Sequence, residues 1–304
     1  MNMRALAGWL GVTCWLAAAA GDTAAQGLAF EAVGTNEFRF DTGVLRGKLH
    51  SDGKSKGLSS VVHLPSGMRL DASMGLFSHY RVFTANHRYG VAAWEWVSQT
   101  RLLPDGGVEV RWAAEPERPF ELRAVYHWAS ADILDLETIV EAKAPLLKFE
   151  SFLASYFAVP FTNCQVYVAQ APGRSGKGFL AADPGAGTWQ TFPRDEAALP
   201  IIQDGRWKIE PNPVDWTMMP RLAAPLAFRR APASGLTAVL MSPPRDCFAI
   251  FTPHQLEPHY SLYLSLFGQD LKAGETARAR SRMVIRPKLS DAEIAKLYET
   301  FAGR

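Results

Sequence analysis

The chain has 304 residues, of which 48% are hydrophobic and 20% are charged, and its 32 basic residues nearly balance its 30 acidic ones. This is the composition of an ordinary folded protein, and it excludes disordered, collagen-like and coiled-coil chains. The formal net charge is +2, and the Lys and Arg residues are scattered along the chain. Recognition of nucleic acid needs a clustered basic stripe, so we expect no nucleic-acid partner.

The first 25 residues have the layout of an export signal. Arg4 supplies a positive charge, an apolar run follows over 5–20, and small residues lead to Ala25. This order is typical of a secretory signal peptide, and the run is shorter than the roughly 20 residues that span a bilayer. We therefore predict a signal peptide over 1–25 and a single mature domain over 26–304, secreted or periplasmic, with no integral membrane segment after cleavage.

Alternation of apolar and polar residues predicts antiparallel strands with one buried and one wetter face. The clearest stretches are 37–41, 120–128, 133–141 and 276–282. The sequence Pro-Asp-Gly-Gly at 104–107 is typical of a hairpin turn between two such strands. The mature chain is therefore predicted to be built from successive antiparallel strands.

A capping box formed by Ser290 and Glu293, followed by apolar residues at helical spacing, predicts a C-terminal helix. The segment 171–213 is richer in Pro and Gly and has poor periodicity, so we interpret it as a long irregular excursion from the sheet, with short helices around 195–199. Many strands with one terminal helix predict an all-β fold, a large antiparallel β-sandwich in a single domain.

The C-terminal third resembles the close of galactose mutarotase-like domains. A strand at 260–267, a turn at 268–275 and an alternating strand over 276–282 correspond to the end of that β-supersandwich. Asn86 and Arg88 also resemble the Asn-Arg substrate-binding segment of aldose 1-epimerases, with a histidine between them. The resemblance implies a concave sheet face that handles sugars. The same superfold hosts epimerases, polysaccharide lyase domains, glycoside hydrolase domains and binding modules, so it does not fix the activity.

A first cluster of candidate site residues lies between positions 78 and 96. A sugar site needs aromatic rings that stack on the pyranose, together with Arg, Asn and carboxylate groups that bind hydroxyls. We predict that His79 and Arg81 share one face of a strand. The catalytic candidates here are His79 and His87, and the substrate-binding candidates are Arg81, Asn86, Arg88, Trp94 and Trp96. The alternative is that the tryptophans are core and the charges lie on a solvated sheet face.

A second cluster follows the apolar strand 248–251. It contains Glu257 and His259 as catalytic candidates and His254 as a substrate-binding candidate. In the epimerases a late Glu serves as general base and a His as general acid, and the resemblance makes Glu257 and His259 the nearest analogues by position. Imidazole can donate or accept protons at neutral pH. The alternative is a polar loop whose histidines cap strand ends.

A third pair of catalytic candidates, Glu150 and Tyr156, shares one face of a predicted strand among hydrophobic neighbours. A buried carboxylate and phenol tend to have shifted pKa values, which suits acid–base work. The alternative is a buried structural arrangement in which Glu150 and Tyr156 are hydrogen-bonded to each other. In the excursion, Trp216 is a candidate stacking platform for a sugar, or an anchor that fixes the loop to the sheet.

No cofactor fingerprint is present, since the sequence lacks a phosphate-binding glycine loop, a dinucleotide-binding pattern and a GxSxG elbow. The His-x-x-Glu-x-His run at 254–259 contains Pro258, which breaks a helical zinc motif. We therefore predict no metal and no cofactor, and the alternative is a catalytic metal gathered by loop residues with His79 or His87 contributing. Cys164 and Cys247 remain after signal cleavage, and either a disulfide or two buried thiols would be consistent with an exported chain.

These features predict an exported carbohydrate-active enzyme that cleaves a glycosidic bond, by hydrolysis or elimination, through general acid–base catalysis on the concave sheet face. An aldose epimerase-like enzyme, a non-catalytic glycan-binding module and a structural envelope protein are the alternatives. The expected partner is a carbohydrate. The enzyme hypothesis requires His79 or His87 to meet Glu150, Glu257 or His259 in one pocket.

Overall fold

The computed structural model describes residues 28–34, 36–50, 57–85, 87–171, 173 and 175–303. The predicted signal peptide over 1–25 and the candidate Asn86 lie outside these residues. The division into a signal peptide and one mature domain therefore stays a prediction.

The described residues form 21 strands, two α-helices and four 3-10 turns. In chain order the strands are β1 Phe30–Gly34, β2 Glu37–Asp41, β3 Leu45–His50, β4 Leu58–His63, β5 Met68–Arg69, β6 Ser78–Thr84, β7 His87–Arg88, β8 Gln99–Leu102, β9 Val108–Trp112, β10 Phe120–Ser130, β11 Ile133–Ala142, β12 Leu146–Tyr156, β13 Asn163–Val168, β14 Gly178–Ala181, β15 Trp189–Pro193, β16 Thr217–Met218, β17 Leu222–Arg230, β18 Leu236–Met241, β19 Cys247–Pro253, β20 Ser261–Leu271 and β21 Thr276–Pro287. The helices are α1 Leu199–Ile202 and α2 Asp291–Ala302, and the turns are Ala93–Glu95, Pro184–Ala186, Glu196–Ala198 and Arg206–Lys208.

Within the described part of the chain the strands form three sheets. The N-terminal sheet has the order β1-β2-β3-β4-β5, the back sheet β14-β13-β17-β18-β21-β11-β10-β9-β8, and the front sheet β16-β15-β19-β20-β12-β6-β7. Strands such as β10–β11 and β12–β20 pair antiparallel, whereas β15 and β16 pair in parallel. The predicted all-β antiparallel architecture is confirmed.

The back and front sheets enclose the main hydrophobic core. Leu122 and Trp112 of the back sheet and Leu153 and Leu264 of the front sheet belong to this one buried cluster. The apolar face predicted for 120–128 is buried at every second residue, because its alternation matches the pleat of β10. Removal of such apolar surface from water is the main favourable term in folding.

Helix α2, the predicted C-terminal helix, covers the outer face of the back sheet. Its capping box forms, since Ser290 Oγ accepts the Glu293 N–H at 3.3 Å and the Glu293 carboxylate accepts the Ser290 N–H at 2.8 Å. Ile294 and Phe301 pack against Phe228 and other apolar residues of the sheet. The helix therefore covers apolar residues on the outer face of the back sheet that would otherwise be exposed to water.

The segment 171–213 is not the continuous excursion that its poor periodicity predicts. It supplies β14 to the edge of the back sheet and β15 near the edge of the front sheet. Four of the five residues of β15 are buried, so the strand has no wet face and shows no alternation. The short helices expected around 195–199 are present as a 3-10 turn and α1, and the Asp195 carboxylate accepts the Ala198 N–H at 3.1 Å.

Neither helix of the described residues combines the length and hydropathy that a bilayer-spanning helix requires.

Candidate functional site

The outer face of the front sheet is covered by residues 204–216, which we call the strap. A second apolar cluster lies between the two, with Phe152 and Phe251 from the sheet and Trp207 from the strap. The ring of Trp207 is 4.7 Å from that of Phe152 and 5.2 Å from that of Phe251, measured between centroids. The front sheet is therefore buried on both faces, which explains why β19 and β20 are apolar runs in the sequence.

A cleft of about 380 Å³ opens between the strap and the front sheet. It is lined by Tyr80, Arg81, Phe152, Tyr156, Trp189, Trp207, Asn212, Pro213, Val214, Trp216, His259 and Tyr263. This volume and this mixture of aromatic rings with a few polar groups are typical of small-ligand sites. A wider groove of about 490 Å³ crosses the N-terminal sheet, but its charged side chains include mutual pairs such as Arg39 with Glu31. We take the cleft as the candidate site.

A β-bulge in β6 decides which side chains reach the cleft. Leu153 pairs with His79 and Ser151 pairs with Val82, so two residues of β6 lie opposite Phe152 alone. A bulge of this kind shifts the alternation by one residue. Tyr80 and Arg81 consequently both line the cleft, and His79 falls on the other face. The predicted sharing of one strand face by His79 and Arg81 is wrong for this reason.

His79 lies in the main core and not in the cleft. Its Nδ1 is 2.9 Å from Ser151 Oγ, its Nε2 is 3.4 Å from Thr138 Oγ1, and its ring contacts the edge of Trp112. Full burial lowers the pKa of His79 to about 3. Its imidazole is therefore neutral and hydrogen-bonded between the two sheets.

This burial predicts a pH dependence of stability. In the unfolded chain His79 takes up a proton below its usual pKa of about 6.5, whereas the folded chain resists protonation until the pH approaches 3. Stability should thus fall as the pH decreases from 6.5, by about 1.4 kcal/mol per pH unit from this group. In denaturant unfolding between pH 4.5 and 7.5, the free energy of unfolding of His79→Gln should change less steeply with pH than that of the unaltered protein. The exposed His87→Gln should not show this smaller change with pH. An unchanged slope in His79→Gln would contradict the assignment.

Arg81 and Arg88 fasten the strap to the sheet through its backbone. Arg81 Nη2 donates to the Asn212 carbonyl at 2.7 Å, and Arg88 Nη1 donates to the carbonyls of Ile209, at 3.3 Å, and of Pro211. Burial, followed by the neighbouring charge of Arg81, lowers the pKa of Arg88. Of the two, Arg81 lines the cleft and Arg88 is not among the lining residues.

Glu150 is sealed beneath the strap and does not line the cleft. Its carboxylate accepts Arg206 Nη1 at 2.8 Å and the hydroxyl of Ser265, and its side chain is fully buried. Burial raises the pKa of Glu150, against the opposing effects of Arg206 and Ser265. Asp204 completes the group by accepting Arg206 Nε at 3.0 Å and Nη2 at 2.9 Å. The hydrogen bonds of Glu150 therefore go to Arg206 and Ser265, and Tyr156 is bonded to Tyr263 instead.

Tyr156 lines the cleft together with Tyr263, and their hydroxyls are 3.3 Å apart. Burial raises the pKa of Tyr263 to about 12 and that of Tyr156 well above its usual value of 10. Both phenols are therefore protonated at neutral pH, and one of their two hydroxyl hydrogens is left over from their mutual hydrogen bond as a proton donor. Tyr263 reaches this place because β20 pairs with β12, with Ala154 opposite Tyr263.

His259 and Glu257 stand at the rim of the cleft as a pair. The His259 Nδ1 is 2.7 Å from Glu257 Oε1, and Glu257 also accepts the His259 backbone N–H at 2.8 Å. This contact favours the tautomer with hydrogen on Nδ1 and leaves Nε2 as the nitrogen that can accept a proton. The His259 ring also contacts the edge of Trp189, 5.5 Å away between centroids. His254 instead accepts the Leu256 N–H at 3.2 Å and is not among the lining residues.

The three predicted tryptophans lie in different places: one lines the cleft, one packs behind a lining residue, and one lies outside the cleft. Trp216 lines the cleft, with its ring 4.8 Å from Phe251. Trp94 stacks on Tyr80 at 4.3 Å with nearly parallel rings, so it supports a lining residue from behind. Trp96 lies outside, beneath the guanidinium of Arg118.

His87 is exposed in the short strand β7, with its ring 4.5 Å from that of Tyr89, and it does not line the cleft. The required meeting of His79 or His87 with Glu150, Glu257 or His259 is therefore absent among the described residues. The cleft instead brings together Arg81, Tyr156, Trp216 and His259, the last with Glu257 behind it.

Eight lining residues were not among the predicted site residues: Tyr80, Phe152, Trp189, Trp207, Asn212, Pro213, Val214 and Tyr263. Tyr80 lines the cleft because of the bulge in β6, and Tyr263 lines it because two strands distant in the chain pair. Asn212 lines it because of the path that the strap takes. Trp189 carried a usable signal, because an aromatic residue in a segment interpreted as a loop over a sheet is a candidate for stacking.

Cys164 and Cys247 are both buried and free, so they form no disulfide. Burial raises the pKa of the Cys247 thiol to about 12, which keeps it protonated and unreactive. Among the described residues no group of His, Cys, Asp and Glu side chains is arranged to hold a metal ion.

No family model and no curated protein matches the sequence. A candidate aldose 1-epimerase from Escherichia coli K12 is similar with a TM-score of 0.49 and 13% identity, over 84% of this chain and 100% of that one. The heparan sulfate lyase HepC from Pedobacter heparinus gives a TM-score of 0.49 and 6% identity over 86% of this chain and 37% of that one. The alpha-N-acetylgalactosaminidase NagBb from Bifidobacterium bifidum gives 0.48 and 8% over 88% of this chain and 38% of that one.

The chain thus spans little more than a third of HepC and NagBb. Aldose 1-epimerases and their homologues are among the structures to which the chain is similar.

Proposed function

We propose that this protein is an exported carbohydrate-active enzyme that binds a glycan in the cleft and cleaves a glycosidic bond by general acid–base catalysis. One observation supports this: imidazole and phenol groups line a single cleft that is walled by Trp189, Trp207 and Trp216. Indole faces stack on the C–H groups of a pyranose ring, and polar groups at the edge bind its hydroxyls.

The proton donors and acceptors that line the cleft favour particular catalytic roles. In an elimination, His259, oriented by Glu257, would accept through Nε2 the C–H proton next to the carbon that carries the leaving group. A C=C bond would form as the glycosidic C–O bond breaks, and the protonated Tyr156 would donate its proton to the leaving oxygen. Hydrolysis by the usual route needs two carboxylates in the site. None of the described lining residues is acidic, so this donor set fits elimination or epimerisation better than hydrolysis by a carboxylate pair.

A non-catalytic glycan-binding module is the second candidate. The lack of a carboxylate among the described lining residues favours it, as does the aromatic character of the walls. Such a module would bind the same sugars in the same cleft and release them unchanged.

The test is a screen of the purified protein against a glycan panel, with binding and product formation both measured. We expect at least one glycan to bind, and Trp216→Ala to weaken its affinity by about 10-fold, because the stacking ring is lost. Trp96→Ala, which removes an indole outside the cleft, is the matched control. Binding without products would favour the module, and the absence of any binding would contradict both proposals.

A further inference from the structure

Arg81 carries donor capacity that the protein itself does not use. Its side chain lies in the cleft, and the residue is 3% exposed. Its Nη2 is shared between the Asn212 carbonyl, at 2.7 Å, and the Tyr80 hydroxyl, at 3.3 Å. Its Nε and Nη1 have no hydrogen-bond partner in the described part of the chain. A guanidinium group offers five N–H donors, so most of this one is unsatisfied.

The positive charge of Arg81 also lacks a carboxylate partner. None of the described lining residues is acidic, and no ion pair joins Arg81 to an acid within the described ranges. Arg206, a buried residue of the strap itself, shows the usual arrangement, since both Glu150 and Asp204 neutralise it. A buried charge is costly unless it is paired, so an unpaired arginine in a ligand cleft indicates that the ligand brings the anion.

The surroundings of Arg81 set the kind of ligand. Its guanidinium carbon lies 5.0 Å from the ring centroid of Tyr80 and 5.3 Å from that of Trp207. These rings restrain the guanidinium on two sides and belong to the same aromatic wall as Trp216. An anionic group at Arg81 would therefore be attached to a ring that stacks on the neighbouring indoles.

We propose that the cleft takes an acidic sugar, in which a carboxylate, sulfate or phosphate group binds Arg81 while the pyranose ring stacks on the aromatic wall. The inference rests on the proposed function and specifies its substrate class. Charge-assisted hydrogen bonds from arginine to such oxyanions are short and strong, and they discriminate against neutral analogues.

The experiment compares ligand pairs that differ in the anionic group alone, by calorimetric titration of the full chain. The pairs are oligogalacturonate with its methyl ester, glucuronate with glucose, a sulfated glycosaminoglycan fragment with its desulfated form, and a hexose 6-phosphate with the hexose. In one pair the acidic member should bind about 10- to 100-fold more tightly. The pair that responds identifies the anion as carboxylate, sulfate or phosphate.

Variants then assign that preference to Arg81. Arg81→Gln should abolish the preference, and Arg81→Lys, which keeps the charge, should retain part of it. Arg278→Gln, which removes an exposed cation on the back sheet, is the matched control and should retain it fully. Thermal unfolding checks that each variant is folded, and the comparison of ligand pairs on the unaltered protein stands even if Arg81→Gln does not fold.

Two results would overturn the inference while leaving the proposed function in place. One is equal affinity for both members of every pair, with binding that Trp216→Ala weakens. The other is an acidic preference that persists in folded Arg81→Gln. If no sugar binds at all, the proposed function and this inference fail together.

Discussion

Replacing Arg206 with methionine is expected to lower the free energy of unfolding by about 3–5 kcal/mol. The guanidinium is fully buried and holds Glu150 at 2.8 Å and Asp204 at 2.9 Å. Without it the fully buried Glu150 carboxylate keeps only the hydroxyl of Ser265 as a partner among the contacts described above. The loss comes mainly from that uncompensated charge, and denaturant unfolding measures it.

The loss should depend on pH in a defined direction. In Arg206→Met burial acts on Glu150 without opposition from the guanidinium and raises its pKa. The folded variant therefore binds a proton at a pH where the unfolded chain does not, and stability is lost as the pH rises through the folded pKa. The destabilisation should be larger at pH 8 than at pH 5.

A double-mutant cycle separates the contribution of the Arg206–Glu150 ion pair to stability from the contribution of side-chain packing. Combining Arg206→Met with Glu150→Leu removes both charges, so the double variant should lose less stability than the sum of the single variants, by about 1–3 kcal/mol. Arg194→Met is the matched control, because Arg194 pairs with Asp195 at a partly exposed site and such pairs contribute about 0–1 kcal/mol. Strict additivity of the two buried substitutions would contradict the pairing.

Replacing Tyr156 with phenylalanine or His259 with glutamine is expected to lower kcat on the responding glycan by about 10²- to 10⁴-fold, as loss of a positioned acid or base does. Both side chains line the cleft, and burial keeps the Tyr156 phenol protonated by raising its pKa. Each substitution removes the proton-transferring group while preserving most of the side-chain volume. KM should change less than kcat, because the aromatic wall that binds the sugar stays in place.

Glu257→Gln should cost less than His259→Gln and should alter the pH profile, because Glu257 positions the imidazole through Nδ1. His127→Gln is the matched control, since His127 lies on the outer face of the back sheet near Asp105. Full activity in both Tyr156→Phe and His259→Gln would exclude these roles and leave the cleft as a binding site.

The contacts that hold the strap contribute both to the stability of the protein and to the structure of the cleft. Three arginines hold it: Arg81 and Arg88 bind its backbone carbonyls, and Arg206 within it binds Glu150 of the sheet. Because Trp207 and Trp216 belong to the strap, loss of these contacts should disorder one wall of the cleft. Substitutions at Arg206 are therefore expected to weaken ligand binding as well as stability.

The sequence by itself determined the elements whose signal is local. Alternation over 120–128 and 133–141 specified strands and their buried faces, and the Ser290 capping box specified the terminal helix, because each pattern lies within a few residues. It also supplied candidate residue types for the site. For β15 the local signal failed, because a strand buried on both faces has no alternation.

Tertiary structure alone decided which side chains meet. One extra residue in β6 turned Arg81 into the cleft and His79 into the core, since a shift of one residue exchanges the two faces of a strand. Pairing of β12 with β20 brought Tyr263 beside Tyr156, and the path of the strap sealed Glu150 under Arg206. These contacts join residues about 50 to 110 positions apart. Local periodicity indicates which face of a strand is buried, but it does not indicate which strand lies next to it.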